Sequence, residues 1–415
     1  MLRSIHPFPA RMAPELALQA LSNLQPGSLV LDPMTGSGTV AREALILGHS
    51  VRAFDLDPLA VLISKVSTTF VRAAEVVSAG NEVLAFSRTI SLRDIRLPWI
   101  DSDSDAKNFV AYWFGPSQIK QLRRLSFALH SASALQLPED VVDVLRIALS
   151  RIIITKQQTA SLAQDTSHSR PHRVATESGY DIFSGFEKSI LSLVKRLPEE
   201  RLKTKARVRI GDARRMTYVR NESVDAIITS PPYLNAIDYL RGHRLSLIWL
   251  GHGLKDISKA RSNSIGSERK PENPRQFAGY ELARRQMGNI EALPNRFQGI
   301  VDRFISDMSA VLKECNRVLK GGSTATFVVG NSCLRGVYIS NSGAISACAL
   351  KLGFDEVSRR ERELPGQHRY LPPPKSGPLG KRMRTEVVLT FRKIAISTPT
   401  RSSQAASSSR RAQSR

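Results

Sequence analysis

The chain has 415 residues, of which 41% are apolar and 23% charged, so it suits a folded protein of roughly two or three structural units and excludes a wholly disordered or fibrous one. No apolar run approaches the ~18 residues of a membrane-spanning helix, and the first residues lack the apolar stretch of a secretory signal. The three cysteines form no CxxC pair, so we expect reduced thiols and a cytoplasmic location.

The net charge of +23 is unevenly distributed along the chain. Basic residues exceed acidic ones by 1 in residues 1–100, by 0 in 101–200, by 10 in 201–300 and by 12 in 301–415. A surface built from the second half that binds a polyanion would produce this distribution. A basic surface that only aids solubility is the alternative, and we favour nucleic acid.

The first predicted unit is a strand, a turn, a helix and a second strand over residues 28–55. The apolar run SLVLD is typical of a strand buried on both faces, TVAREALILG has apolar positions on one helical face, and SVRAFD is a short second strand. This order predicts a parallel sheet with a right-handed crossover.

Helical spacing of apolar residues then dominates residues 58–200, apart from a loop at 160–173. Strand patterns return at 205–210 and 223–229, and a helix is predicted across AIDYLRGHRLSLIWL, which begins at residue 236.

The C-terminal part begins with an irregular segment, 251–296, which has no sustained apolar periodicity. A helix is predicted at 297–320, with the Gly-Gly pair at 321–322 as its stop. After the apolar run STATFVVG, a helix around 341–352 and two strands complete the predicted fold. Residues 397–415 are rich in serine and arginine, so we expect them to be disordered.

The first motif that carries chemistry is DPMTGSGT at 32–39, between a strand and a helix. Gly36 and Gly38 let the backbone turn tightly and approach a ligand, and Asp55, at the end of the next strand, can hold a ribose diol. The spacing lacks the third glycine of a dinucleotide fingerprint, and Asp32 places a carboxylate where a phosphate would sit. A cationic ligand with a ribose fits better, and S-adenosylmethionine (SAM) has both. The alternative is a tight turn without a ligand.

The second motif is TSPPY at 229–233, which directly follows the second strand pattern of that region. Two consecutive prolines remove backbone donors and leave carbonyl acceptors, while Ser230 adds a hydroxyl and Tyr233 a flat aromatic face. Acceptors beside a stacking surface suit a planar base that bears an amino group. A proline-rich strand exit with a tyrosine in the core is the alternative.

The pairing of DPMTGSGT with TSPPY resembles the amino-methyltransferases that methylate exocyclic amines of DNA bases. The motifs HPFPARM at 6–12, FDLDP at 54–58 and GDAR at 211–214 resemble further motifs of that family, in family order, and SPPY looks most like its cytosine-N4 branch. The resemblance implies SAM as cofactor, contacted by Phe8, Asp32, Gly36, Ser37, Gly38, Asp55, Asp57 and Asp212. It implies that the target amine is held by Ser230, Pro231, Pro232 and Tyr233. In particular, it implies that Asp55 holds the ribose, with Asp57 as a second candidate, and that Asp212 meets the adenine amine.

The expected fold is therefore α/β, a Rossmann-like SAM-dependent methyltransferase sandwich with a mostly parallel sheet and a helical insertion. We divide the chain into a SAM-binding half, a helical insertion, a catalytic half and a basic tail, at 1–70, 71–204, 205–396 and 397–415. Within the catalytic half, we hypothesise that 251–296 forms much of the DNA-reading surface and becomes ordered only on binding. Its basic side chains include Arg261, Arg269, Lys270, Arg275, Arg284 and Arg285.

The predicted reaction is methyl transfer from SAM to an exocyclic amine of double-stranded DNA, with cytosine N4 favoured over adenine N6. Cytosine-C5 chemistry is disfavoured because none of the three cysteines follows a proline, and amine methylation needs no covalent nucleophile. An RNA guanine-N2 methyltransferase and an inactive nucleic-acid-binding protein of the same fold remain alternatives. The resemblance also implies a restriction–modification setting with a cognate restriction endonuclease as companion. We predict no metal, since His168 and His172 lack a third ligand at suitable spacing and suit surface or phosphate contacts better.

Overall fold

The structure is a computed structural model that describes residues 4–8, 12–155, 159–164, 171–234, 238–265, 279–363 and 385–395. The helices are α1 (Pro14–Leu21), α2 (Thr39–Ile46), α3 (Pro58–Thr68), α4 (Ala73–Thr89), α5 (Pro98–Asp101), α6 (Ser104–Trp113), α7 (Pro116–His130), α8 (Glu139–Ser150), α9 (Ile182–Val194), α10 (Tyr239–Leu247), α11 (Leu254–Asn263), α12 (Tyr280–Gln286), α13 (Asn295–Val318) and α14 (Asn341–Lys351). Short 3-10 turns follow α10 at Ile248–Leu250 and precede α13 at Ile290–Ala292.

The strands are β1 (Leu29–Asp32), β2 (Ser50–Asp55), β3 (Ala163–Gln164), β4 (His172–Arg173), β5 (Ala206–Ile210), β6 (Val224–Thr229), β7 (Leu319–Gly330), β8 (Ser332–Leu334), β9 (Val337–Ile339), β10 (Phe354–Glu363) and β11 (Thr385–Lys393). Seven of them form one sheet in the order β10-β11-β7-β6-β1-β2-β5. Pairing is parallel from β5 through β7, while β11 lies antiparallel to both of its neighbours. The predicted α/β class with a mostly parallel sheet is confirmed.

Both faces of this sheet are covered by helices. Because successive residues of a strand point to opposite sides, each strand contributes side chains to both faces. On β1, Val30 packs into a core that includes residues of α1, α2 and α3, whereas Leu31 packs into a second core that includes residues of α12, α13 and α14. Strand β6 divides in the same way, with Ile228 in the first core and Ile227 in the second. The result is a three-layer sandwich, and its central strands read as continuous apolar runs for this reason.

A third core lies among helices α4 to α9, which occupy most of the proposed insertion. It also takes in the apolar face of α3 and the residues that follow TSPPY, including fully buried Trp249. The ring of Phe114 lies edge-on to Trp249 with 5.2 Å between ring centroids. The helical bundle therefore packs against both halves of the sheet domain.

Two predictions about the C-terminal half are wrong. The segment 251–296 contains helices α11 and α12. Apolar periodicity did not indicate α11, because Ile257 is its one buried residue and most of its surface is polar. The Gly-Gly pair at 321–322 does not stop a helix, since α13 ends at Val318 and both glycines lie in β7. They allow an irregularity where the β6–β7 register shifts, and Gly322 has a φ of +77°.

Across the described ranges, no helix is long and apolar enough to cross a bilayer. The expected disorder of 397–415 and the predicted phosphate contact of His168 lie outside the described residues.

Candidate functional site at the sheet switch point

The predicted motifs follow the carboxyl ends of four adjacent parallel strands. Strand β1 ends at Asp32 and β6 ends at Thr229, and the two strands are direct neighbours in the sheet. The chain order reverses between them, because β2 and β5 lie on one side and β7 on the other. In open α/β sheets, ligands bind in the crevice at such a reversal. The fold thus brings DPMTGSGT and TSPPY to one place although about 190 residues separate them.

The glycine loop after β1 is tightly packed against its surroundings. Gly36 and Gly38 have φ values of +49° and +77°, which favour glycine. A side chain on Gly38 would lie 2.7 Å from the Ser64 hydroxyl, and one on Gly36 would lie 3.3 Å from the Phe8 ring. The nearby Ser37 hydroxyl is 3.2 Å from the Thr39 hydroxyl. Both glycines are needed for this path, and Phe8 lies directly against the loop.

Phe8 is held in place by the helical bundle and by α10. Its ring stacks on Tyr239 with 5.3 Å between centroids and an angle of 18° between planes. Just before it, the Ser4 carbonyl accepts a hydrogen bond from Arg196 at 3.0 Å, and the Ile5 carbonyl accepts one from Arg151. The sequence did not predict this support, because both arginines are distant in sequence and belong to no motif.

Asp32 is a buried carboxylate at the base of the crevice, with 2% of its surface exposed. Its Oδ1 accepts hydrogen bonds from the Thr229 hydroxyl at 2.8 Å and from the Met34 backbone N–H at 3.3 Å. Burial raises the pKa of Asp32 to about 7, although the bond from Thr229 acts in the opposite direction. The bond from Thr229 joins the two motifs directly, whereas the burial of Asp32 favours either a proton or a cation beside it.

Asp55 and Asp57 have different environments although both follow β2. Asp55 is half-buried and accepts hydrogen bonds from the backbone N–H groups of Gly36 at 2.8 Å and of Asp57 at 3.0 Å. Burial, followed by the charge of Asp57, raises its pKa to about 6. Asp57 is buried, caps α3 at the Leu59 N–H and contacts His243 Nδ1. Both oxygens of the Asp57 carboxylate therefore have partners within the protein, and Asp55 is the better candidate to hold a ribose.

Asp212 lies beyond the end of β5 and already has a cationic partner. The Arg214 guanidinium donates to Asp212 Oδ2 at 2.7 Å and to Oδ1 at 3.0 Å. The same guanidinium reaches buried Asp307 at 2.7 Å and the Asn263 carbonyl at 2.7 Å. Its hydrogen bonds and the two carboxylates raise the pKa of Arg214 despite its burial. Asp212 is therefore fixed in orientation, and a ligand amine would share it with Arg214.

In TSPPY, the Ser230 hydroxyl donates its hydrogen to the Val328 carbonyl on β7 at 3.0 Å. A hydroxyl that already donates its single hydrogen can form further hydrogen bonds only as an acceptor. Pro231 is buried, Pro232 is half-buried, and Tyr233 is half-buried against the core that includes α13 and α14. This arrangement fits acceptors that face an amine.

Among the described residues, no group of His, Cys, Asp and Glu side chains is arranged to hold a metal. Cys315 and Cys348 are buried in the core, and burial raises the pKa of both thiols, that of Cys348 to about 12. Neither can supply a thiolate to this crevice.

Two of the six basic side chains named for this hypothesis have carboxylate partners. Arg261 pairs with Asp238, and Arg284 lies 2.6 Å from Asp302. Arg285 is exposed, and the other three lie outside the described residues, as does the rest of 266–278.

A family model described as "RMKL-like, methyltransferase domain" matches residues 5–83. The Type II methyltransferase M.AvaI from Nostoc sp. is 31% identical over 153 residues, which cover 32% of this chain and 31% of that protein. The Type II methyltransferase M.MvaI from Kocuria varians is 21% identical over 417 residues, which cover 93% and 88% of the two chains. The chain is similar to Type II methyltransferases. This finding confirms the resemblance predicted from the motifs.

The chain spans about a third of the length of the M.AvaI protein that it matches. Among solved structures, a SAM-dependent methyltransferase from Methanosarcina mazei aligns over 93% of this chain and 100% of its own, with 9% identity and a TM-score of 0.33.

Proposed function

We propose that this protein transfers a methyl group from SAM to the exocyclic amine of a base in double-stranded DNA, with cytosine N4 as the favoured target. The observation that supports this most is the hydrogen bond between Asp32 and Thr229. It joins the candidate cofactor loop to the candidate base-binding motif at the switch point of the sheet.

The residues of the crevice suit SAM. Two carboxyl groups, Asp32 and Asp55, have raised pKa values, so a cationic ligand beside them would replace the proton that burial favours. The Asp55 carboxylate also lies at the end of β2, where a ribose diol is held in related folds. The loop at Gly36 and Gly38 follows a backbone path that favours glycine, and the Phe8 ring against Gly36 forms an aromatic boundary beside it. When bound, SAM would supply an electrophilic methyl group.

The chain's own residues would orient the target base and its amine. The Ser230 hydroxyl, fixed as an acceptor by Val328, and the Pro231 carbonyl would accept hydrogen bonds from the target amine. Such bonds draw the lone pair of the amine out of conjugation with the ring and aim it at the methyl carbon. Tyr233 would stack on the flipped base. The methylated amine then loses one proton to solvent water, because neither the Ser230 hydroxyl, whose hydrogen is bonded to Val328, nor the Pro231 carbonyl is a base.

Adenine N6 is the second candidate for the target, since the same acceptors would hold either amine. We also propose a restriction–modification setting with a cognate endonuclease, on the similarity to Type II methyltransferases. The proposed division at 1–70, 71–204 and 205–396 places both motifs outside the insertion.

The test incubates the protein with radiolabelled SAM and either duplex DNA or RNA, followed by digestion to nucleosides. We expect label in N4-methyldeoxycytidine. Label in N6-methyldeoxyadenosine would move the target to adenine, and label only in RNA would establish the rival enzyme. No label in any nucleoside, from protein that binds SAM and DNA, would favour a binding protein of the same fold.

A further inference from the structure

A basic surface lies at the free edge of the sheet, on strands and loops outside the segment 251–296. Between residues 201 and 220 the chain carries eight basic side chains and one acidic one, Asp212. Strand β5 runs through the middle of this stretch and has no neighbour on its outer side within the seven-stranded sheet. We call the following residues the β5-edge surface: Arg52, Arg207, Arg209, Tyr218 and Arg220.

The register of the sheet gathers Arg52, Arg207 and Arg209 on one face. Arg52 on β2 is opposite Arg207 on β5, and Arg209 lies two residues further along the same side. Phe54, which pairs with Arg209, belongs to the apolar core on that face. The arginines of β5 therefore lie at the border of this core. Arg207 and Arg209 are both exposed.

Tyr218 anchors the surface. Its side chain is 64% exposed, and the Arg209 guanidinium lies 5.7 Å from the centre of its ring. The Tyr218 carbonyl accepts a hydrogen bond from Arg52 at 2.6 Å. An exposed aromatic ring beside several guanidinium groups is a common feature of surfaces that bind nucleic acid.

Within the part of the chain that the structure describes, none of the four arginines forms an ion pair with a carboxylate. Burial lowers the pKa of Arg52, and the charges of Arg207, Arg209 and Arg220 lower it further. Mutual repulsion of this kind destabilises the free protein and is relieved when an anion binds between the charges. The composition of the surface thus matches a polyanion.

The position also suits a duplex held at the crevice. Strand β5 is three strands from β6, or about 15 Å at roughly 4.8 Å per strand. Arg209 lies one residue and Arg207 three residues before the carboxyl end of β5, which adds about 3 Å and about 10 Å along the strand. The combined distances, about 15 Å and about 18 Å, are close to half of the roughly 34 Å turn of a DNA duplex. Phosphates that flank a base held beside TSPPY would therefore lie within reach of the edge.

We infer that the β5-edge surface binds the phosphate backbone of duplex DNA outside the methylated site. The inference rests on the proposed function for its choice of DNA. Arginines on an edge strand have a second known use, which is to prevent the strand from pairing with another chain, and the experiment distinguishes the two.

The test variant replaces three arginines and keeps Arg52, which supports Tyr218: Arg207→Gln, Arg209→Gln and Arg220→Gln together. The control carries Lys313→Gln, Lys351→Gln and Arg392→Gln and loses the same charge. These three exposed residues lie late in α13, at the end of α14 and late in β11. Because β11 is antiparallel to β7, its last residues lie at the end of the sheet opposite to the site.

Binding is measured as a function of salt on two hairpin-capped duplexes, which extend about 4 and about 20 base pairs on either side of the target base. On the long duplex, the slope of log affinity against log salt should flatten by up to about 2.7 in the test variant, since each lost phosphate contact accounts for roughly 0.9. The short duplex extends only about 14 Å from the target base, at roughly 3.4 Å per base pair, so its slope should flatten less than that of the long duplex. The control variant should show no such change on either duplex.

An unchanged slope on the long duplex, or an equal change in the control, overturns the inference. So does self-association of the test variant by light scattering with an unchanged slope, because the arginines would then protect the edge strand. A change with duplex RNA but not with DNA would assign the surface to RNA. Methylation of the short duplex by the unaltered protein tests the proposed function separately from all of these outcomes.

Discussion

Replacing Asp32 by asparagine should stabilise the free protein at pH 8 and weaken its binding of SAM. The carboxylate is 2% exposed, and its pKa is raised from 3.8 to about 7. Because the folded state holds the proton more tightly than the unfolded state, the free energy of unfolding falls as the pH rises from 4 to 7. The asparagine side chain carries no charge at any of these pH values, so the variant would not lose this stability.

The size of the effect follows from the two pKa values. At roughly 1.36 kcal/mol per pH unit, the native protein has lost about 4 kcal/mol of stability at pH 8 and about 2 kcal/mol at pH 5, relative to low pH. An amide N–H without a partner would offset roughly 1–3 kcal/mol of the gain at both values. The stabilisation by Asp32→Asn should therefore be about 2–3 kcal/mol larger at pH 8 than at pH 5.

Urea unfolding of both proteins at pH 5 and pH 8 measures this difference, and calorimetry at pH 8 measures SAM affinity. Asp225→Asn is a control of opposite sign, because Asp225 lies on the same strand as Thr229 and its pKa is lowered by Lys320 and the Leu29 N–H. That variant should be less stable than the native protein at neutral pH. A pH-independent effect of Asp32→Asn, or destabilisation at pH 8, would refute the reasoning.

Four further predictions concern the same crevice. Asp55→Ala should weaken SAM binding through the loss of two charge-assisted hydrogen bonds, each worth roughly 1.5–3 kcal/mol; unchanged affinity by calorimetry would remove the ribose role. In the native protein, SAM affinity should rise with pH between about 5 and 7 as Asp32 and Asp55 ionise, with proton release measurable in buffers of different ionisation enthalpy. Gly38→Ala should destabilise the fold by roughly 1–3 kcal/mol more than Gly48→Ala, because both glycines have positive φ but only Gly38 has neighbours within 4 Å; equal melting temperatures would contradict this. Tyr233→Ala should reduce methyl transfer by the roughly 1–3 kcal/mol of a base stack and leave SAM binding nearly intact, so loss of SAM binding in a folded variant would place the ring in the cofactor pocket.

The sequence was sufficient for the parts of the site that follow strand ends. A short apolar run followed by a glycine or proline motif marks both the strand and its carboxyl end, so β1 and β6 were predicted to within a residue. Parallel pairing then brings those ends together without further information. The same reasoning could not predict the ion pair of Asp212 with Arg214. The position of the Arg214 guanidinium depends on Asp307, which lies 93 residues further along the chain.

Surface helices were harder to predict than buried ones. Helix α8 has nine buried residues among twelve, whereas α11 has one among ten, so only the first leaves an apolar pattern in the sequence. The charge pattern was similarly incomplete. It located the basic excess in the second half of the chain, but only the register of β5 against β2 shows that Arg52, from the first half, joins it.

The helical bundle is joined by buried contacts to α10 and the turn that follows it. The Ser126 hydroxyl and the Trp99 ring nitrogen each donate a hydrogen bond at 2.7 Å to the backbone just after α10, at Trp249 and Ile248. Trp249 itself is fully buried among bundle residues, and burial of such a ring stabilises a fold by several kcal/mol. A bundle excised at 71–204 would expose this surface, and the remaining chain would lose the support of Phe8 by Arg196. The bundle and the cofactor crevice should therefore unfold together, because neither retains its buried contacts without the other.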